Sequence, residues 1–395
     1  MFRDISSIQE LLSPEDETKE PNYERAKIEL DRLNERYNSL NDFEKATLLN
    51  FYTNYYLNTD NIEQALLTFE RMLTIENLRV EMRQRALQAL GNLYAGEERW
   101  QDSIDALSQW REISEEESAN VFLQLANGHF NLEQFQQAIP YVLDHMEIVR
   151  AEGREVPRNV YGLLNVMYIE MEDYPNALIT TKEMVALFDE PADWRNLAAI
   201  YGMLDDDKNR IETLGLTFAK GYMASEAEYM NLAQSLAGID APYKGAKVLE
   251  AGIAAGIVEE DFDTFERLTQ MYLMANEYDE AVIPARKAAE LDETGNGYDY
   301  LGYIYYLKHD YKEAAEASKL ALQRGNLDDP DDANLFLARA LLEIEDFEGA
   351  RQAAREAQRL GNNNASQLLT FIENSKARRE NLDRRKADAI DFYRS

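Results

Sequence analysis

Along almost the whole chain, an aromatic residue is followed three positions later by a small one. The pairs are Tyr23/Ala26, Ile62/Ala65 (an aliphatic in the aromatic place), Trp100/Ser103, Phe135/Ala138, Tyr174/Ala177, Tyr243/Ala246, Tyr278/Ala281, Tyr311/Ala314 and Phe347/Ala350. From Ala65 onward the small residues lie 38, 35, 39, 69, 35, 33 and 36 positions apart. The interval of 69 holds a worn repeat. A second pattern precedes each pair: a large apolar residue, then Leu and a small residue, then an aromatic. Leu87, Leu90-Gly91, Tyr94 is one example and Tyr298, Leu301-Gly302, Tyr305 another. Offsets of three, four and seven put these residues on one helical face. The two patterns predict paired helices, A and B, joined by polar turns such as Asn58-Thr59-Asp60-Asn61 and Lys308-His309-Asp310. A fixed period near 34 residues marks a helix–turn–helix solenoid.

These slots are those of the tetratricopeptide repeat (TPR), which the chain resembles over about residues 21–361. The resemblance implies an all-α fold: a TPR α-solenoid, a right-handed superhelix of antiparallel helix pairs with a long C-terminal capping helix. The expected division is an N-terminal helical cap over 1–40, a solenoid over 41–363, and a capping helix with a basic tail over 364–395. Within the cap, residues 4–12 and 22–38 read as a half-matched pair. Gly361-Asn362-Asn363 reads as the stop before the last helix. One repeat, Trp194–Thr217, keeps helix A but has Asp207 and Arg210 where helix B wants its aromatic and small residues.

Composition narrows the function. Only nine prolines and 18 glycines occur in 395 residues, and no Pro/Gly/Ser-rich linker divides them, so one elongated domain is expected. The net charge is −33, from 74 acidic and 41 basic side chains. Such a surface repels phosphate backbones, which excludes nucleic acid, and attracts a basic protein or peptide. Acidity that only keeps a long helical protein soluble is the alternative. The absence of cysteine removes thiol nucleophiles and cysteine-ligated zinc, and is compatible with an oxidising compartment. No stretch approaches 18 consecutive apolar residues, so no membrane insertion is expected. The start, Met1-Phe2-Arg3-Asp4-Ile5, has no apolar signal core. The expectation is either a cytoplasmic protein or an exported one whose signal peptide has been removed.

Candidate binding residues follow from the helix-A pattern. Asparagine stands directly after the small position in three successive repeats, at Asn54, Asn92 and Asn127, with Asn50 and Gln88 one turn earlier. A column of amides suits the backbone of an extended peptide, since each offers a donor and an acceptor. The alternative is that they stay solvated or bond a local carbonyl. TPR proteins that grip a C-terminal carboxylate use Lys and Arg beside such asparagines, whereas the neighbours here are Gln88, Gln124, Asn159 and Leu163. That departure argues against carboxylate capture. Further along, Phe130, Ile169, Tyr303 and Tyr306 suggest a less polar stretch of groove, with core packing the competing reading for half of them. The runs Asp205-Asp206-Asp207 and Asp328-Asp329-Pro330-Asp331-Asp332 read as helix caps rather than a cation site. His129 and His145 take core slots and His309 a turn, with no metal-ligand spacing between them. No catalytic residue, metal or cofactor is expected. The segment from Lys376 to Ser395 carries seven Lys/Arg against four Asp/Glu and reads as a solvated basic face.

Three segments carry a closer resemblance: Asp42 to Tyr52 (DFEKATLLNFY), Glu190-Pro191-Ala192-Asp193-Trp194 running to Tyr201, and Ala241 to Glu250 (APYKGAKVLE). They are similar to periplasmic TPR proteins described as components of bacterial TonB systems. The resemblance implies a non-enzymatic scaffold for TonB/ExbB/ExbD energy transduction and siderophore uptake, binding an extended basic segment in its groove. The alternatives are a cytosolic co-chaperone or assembly adaptor and a receptor for a peptide signal.

Overall fold

The structure is a computed structural model describing residues 2–14, 20–115 and 117–394. Residues 15–19, inside the expected cap, fall outside it. The described residues form twenty-one α-helices and no strand. They group into two compact units, divided between Asp205 and Asp206.

The first unit opens with α1 (Phe2–Leu12) and α2 (Tyr23–Asn34), then pairs α3 (Asp42–Asn58) with α4 (Ile62–Leu73). The pairs α5 (Val80–Gly96) and α6 (Trp100–Ile113), then α7 (Ala119–Asn131) and α8 (Phe135–Ala151), follow. It closes with α9 (Arg158–Glu170), α10 (Tyr174–Phe188) and α11 (Pro191–Met203). The second unit begins with α12 (Asp207–Ala219). Its pairs are α13 (Glu226–Gly238) and α14 (Pro242–Ala254), α15 (Phe262–Met274) and α16 (Tyr278–Leu291), and α17 (Asn296–Leu307) and α18 (Tyr311–Arg324). The last are α19 (Pro330–Glu343) and α20 (Phe347–Arg359), followed by α21 (Ala365–Arg394). This succession of helix pairs at the repeat period is an all-α TPR solenoid.

The aromatic/small pairs explain the packing. Each aromatic opens a helix B, and the small residue three positions later lies where helix A comes closest. Ala26, Ala65, Ala138, Ala177, Ala246, Ala281, Ala314 and Ala350 are all 0% exposed. Ser103, the one hydroxyl among them, donates to the Gly91 carbonyl at 2.7 Å and so enters the core with its polar atom satisfied. In the worn repeat, Arg210 takes the small slot and turns its guanidinium outward to Asp207 and Asn231. The division between the two units falls just before this helix.

Helix A stops in the same way in repeat after repeat. Asp60, Glu98, Glu133, Glu172, Asp205, Asp240, Asn276, His309 and Glu345 all have φ between 54° and 63°. After these positions other than Asp205, the next residue donates to a carbonyl five residues back, as Arg99 does to Tyr94 and Asp310 to Tyr305. This is a Schellman stop, with acidic residues mostly filling the left-handed place that glycine usually takes. His309 is therefore a turn residue, and its Nδ1 lies 2.6 Å from the Tyr311 hydroxyl.

The aromatic ending helix A also joins neighbouring repeats. Tyr52 donates to Asp31 at 2.7 Å, Tyr94 to Glu70 at 2.5 Å and Tyr272 to Glu250 at 2.5 Å. Burial first, and then the facing carboxylate, push the Tyr94 and Tyr272 phenols up to about 12.

The ends differ in detail from expectation. Helix α2 finishes at Asn34 rather than 38, and a short 3-10 turn over Tyr37–Ser39 follows, with Arg71 stacked 3.8 Å above the Tyr37 ring. Helix α21 buries only its first turns, through Ala365 and Ile372. Residues 377–390 are exposed throughout. Lys376 and Arg379 reach back to Glu348 and Glu345 at 2.8 Å each.

Candidate functional site

The amide residues lie on helix A of the first three full repeats. Asn50, Asn54, Asn92 and Asn127 are exposed and Gln88 is half-buried. Two of their side chains, those of Asn54 and Asn92, already hold partners inside the protein. Asn54 accepts from the Asn58 amide at 2.5 Å, and the Asn127 backbone carbonyl accepts from Asn131 at 2.8 Å. Asn92 accepts from the Gln124 side chain, one repeat further on. The other end of that amide, Gln124 Oε1, is shut off from solvent and accepts nothing. Phe130 packs half-buried against Phe135, with ring centroids 5.7 Å apart, and belongs to the core around Val142 and Leu164. Among the histidines, His129 stacks on Tyr141 at 5.5 Å, and buried His145 lies 2.8 Å from the Ala119 carbonyl.

Tyr303 and Tyr306 belong to the second unit, on α17. Tyr303 is 45% exposed on the wall of a 560 Å³ pocket formed with α19 and the turns before α19 and α21. Tyr300, one turn earlier, lies 6.5 Å from Tyr303 with nearly parallel rings, and Phe336 from α19 lies 6.0 Å away on the other side. Tyr306 continues the row 5.2 Å from Phe336 and 5.2 Å from Tyr311, outside the pocket lining. A smaller cavity of 290 Å³ adjoins this one, sharing Asn296 and Tyr300 and reaching Phe262 and Glu266 on α15. The result is an aromatic strip crossing successive A helices.

The floor of the pocket is polar and braced. Asn296 donates to Asp328 at 3.0 Å and accepts from the Asp328 backbone at 3.1 Å, locking the two turns together. Asp332 and Asp331 both accept from Asn362. These aspartates were expected to cap α19, but Asp329 makes no side-chain cap bond, and its neighbours bridge to other turns instead. The run at 205–207 does cap, since Asp206 accepts from the Asn209 backbone. Asp292, beneath Asn296, accepts from Thr294 and Gly297. Burial opposes its ionisation, yet those hydrogen bonds outweigh it and hold the carboxyl below the usual range.

Asp299 differs. It lines the pocket, and its Oδ1 is closed off from solvent with no hydrogen-bond partner. Burial, and then the charges of Asp332 and Asp329, raise its pKa. Arg339, exposed on α19, is the cation on the wall. Sequence reasoning missed Asp299, Tyr300, Phe336 and Arg339. One signal was present: Tyr300 and Phe336 both stand two places before the small helix-A residue, Gly302 and Ala338, in successive repeats. Among the described residues no group of three or more His, Asp and Glu is placed to hold a metal, and no helix is long and apolar enough to cross a membrane.

No family model and no curated protein matches the chain. Solved structures that resemble it are repeat proteins at low identity. A tetratricopeptide repeat protein from Parabacteroides merdae is 12% identical, covering 75% of this chain and 98% of its own, with a TM-score of 0.36. The C-terminal part of a TPR repeat-containing protein from Cytophaga hutchinsonii is 17% identical, covering 62% and 99%, with a TM-score of 0.36. A chain of the Naa15/Naa10 complex bound to HypK-THB is 13% identical, covering 95% and 66%, with a TM-score of 0.45. Likenesses this weak carry no argument about function, and the fold rests on the helix pairs themselves.

Proposed function

We propose that this protein is a non-enzymatic protein–protein interaction scaffold that grips an extended partner segment along the A helices of its second unit. The observation that carries this reading is the aromatic strip of Tyr300, Tyr303 and Phe336 beside a 560 Å³ pocket. Exposed aromatics in a recess supply most of the affinity in peptide recognition, and flanking polar groups set orientation. The strong negative charge favours a basic partner and a salt-sensitive encounter.

The finer reading places the scaffold in the periplasm, serving a TonB-type transport complex. It is supported by the three segments similar to TonB-associated TPR proteins. An extended, proline-rich basic segment fits that role, because such a chain has little further entropy to lose on docking. A photo-crosslinking residue at Tyr303 should capture a TonB-complex component from periplasmic extract at low salt, and one at Glu97 in the first unit should not. Capture of other proteins at Tyr303 alone would remove the TonB assignment and keep the scaffold. Equal labelling from both positions would remove the scaffold reading.

A further inference from the structure

The pocket between α17 and α19 is more specific than an apolar groove, because its aromatic wall stands over carboxylates of unequal availability. Asp328 is engaged by Asn296 and Asp332 by Asn362. Asp299 Oδ1 has no partner, although it is enclosed. An enclosed carboxylate oxygen that accepts nothing lacks both water and protein donors, and its neighbours repel it. A group entering the pocket offsets that repulsion if it carries positive charge, donates hydrogen bonds to the carboxylates of the lining and fits beside a phenol ring. A planar guanidinium meets all three conditions: it stacks on aromatic faces and bonds carboxylates at its edge.

We infer that this pocket takes one basic side chain, arginine in preference to lysine, from an extended peptide, with the cation against Tyr303 and Phe336 and its N–H groups toward Asp299. The charge balance of the lining agrees: Asp299, Asp328, Asp329 and Asp332 face a single cation, Arg339. Arg339 stands one turn beyond Phe336 on the same face of α19, which leaves the Asp299 end of the pocket to the incoming cation. This inference rests on the scaffold reading and names the chemistry that its site selects.

The test uses the full chain and a fluorescein-labelled Gly-Pro-Pro-Arg-Pro-Pro-Gly probe at physiological salt, read by anisotropy. Versions carrying citrulline or lysine at the central place serve as comparisons, citrulline having nearly the shape of arginine without its charge. The arginine probe should bind roughly tenfold tighter than the citrulline probe, with lysine between them. Asp299→Asn should erase that preference, Tyr303→Ala should weaken both probes, and Glu97→Gln, a surface charge in the first unit, should leave the preference intact. Equal binding of arginine and citrulline probes overturns the inference, and if Tyr303→Ala still weakens both, the groove survives it. An equal loss in Asp299→Asn and Glu97→Gln also overturns it, because the attraction is then diffuse. Failure of every probe to bind overturns the pocket, while the scaffold reading is judged by its own crosslinking result.

Discussion

The residue directly after the buried small position of helix A is asparagine in α3, α5 and α7 of the first unit, but tyrosine in α17 and arginine in α19 of the second. The slot is the same and its chemistry is not. In the first unit two of these amides already hold a side-chain partner, Asn92 accepting from Gln124 and Asn54 from Asn58. In the second, Tyr303 leaves its ring 45% exposed beside a recess. An amide whose partners are already in place gains little from a ligand, because each new hydrogen bond replaces an old one. An exposed ring loses water when covered and gives up no prior contact. The same slot therefore braces two repeats at Asn92, while at Tyr303 it leaves a ring free for the proposed contact.

Paired variants break that contrast most directly. Tyr303→Ala combined with Phe336→Ala should weaken capture of the partner by about a hundredfold, the range of aromatic anchors at an interface centre. Replacing Asn54, Asn92 and Asn127 together by alanine should change it by about twofold or less, in keeping with rim polar contacts. Titration calorimetry on both variants, with circular dichroism to confirm that the helices persist, decides the matter. A larger loss in the asparagine variant would move the contact surface to the first unit.

A smaller effect separates the seats on which the two faces rest. Gly91 precedes Asn92, and a Cβ there would lie 2.5 Å from Leu107 Cγ, deep in the packed B helix. Gly302 precedes Tyr303, and its added Cβ would meet Ser318 Oγ at 2.9 Å, the Ala314 carbonyl at 3.3 Å and the Ser318 backbone nitrogen at 3.4 Å. Leu107 is 0% exposed and cannot retreat, whereas the serine hydroxyl can rotate. Gly91→Ala should cost roughly 2 kcal/mol by overpacking. In Gly302→Ala a gain of about 0.5–1 kcal/mol from helix propensity offsets the crowding, so stability stays near wild type. Urea unfolding of the two variants measures the difference.

The fold was legible because its cause is periodic: nine buried small residues mark every regular helix B, and their spacing needs no tertiary knowledge. The left-handed turns were visible only as polar runs, since nothing local shows that Glu133 or Glu172 takes a positive φ. In the site, Tyr303 could be found because its slot follows Gly302. Tyr300 and Phe336 stand two places before the small residue, a position the pattern does not mark, and only the packing of α17 against α19 sets them beside a recess. Asp299 was hidden among 74 carboxylates, because its isolation depends on which neighbours engage Asn296 and Asn362. Likewise, the pairing of Gln124 with Asn92 joins residues 32 positions apart, a contact no single repeat reveals.

The subtlest contrast is in acid–base behaviour. Asp31 on α2 is partly desolvated, which alone would raise its pKa, but hydrogen bonds from Lys27 and Tyr52 prevail and lower it. A depressed carboxylate stabilises the fold above the ordinary carboxylate range, and that contribution is lost as pH falls through its folded value. Asp299 has the opposite sign. Its raised pKa, from burial and then from Asp332 and Asp329, means that the unfolded chain releases this proton first as pH rises. Stability therefore declines from about pH 4, the unfolded value, up through the raised folded value, and the penalty persists at neutral pH. Asp299→Asn should accordingly raise the thermal midpoint by about 2 °C at pH 7.5, and by nothing at pH 3.5, where the native carboxyl is already protonated. Asp31→Asn should lower the midpoint at pH 7.5. Differential scanning calorimetry at the two pH values tests both signs. If Asp299→Asn destabilises at neutral pH, the carboxylate has partners within the fold, and the second unit's pocket is braced like the amide face of the first.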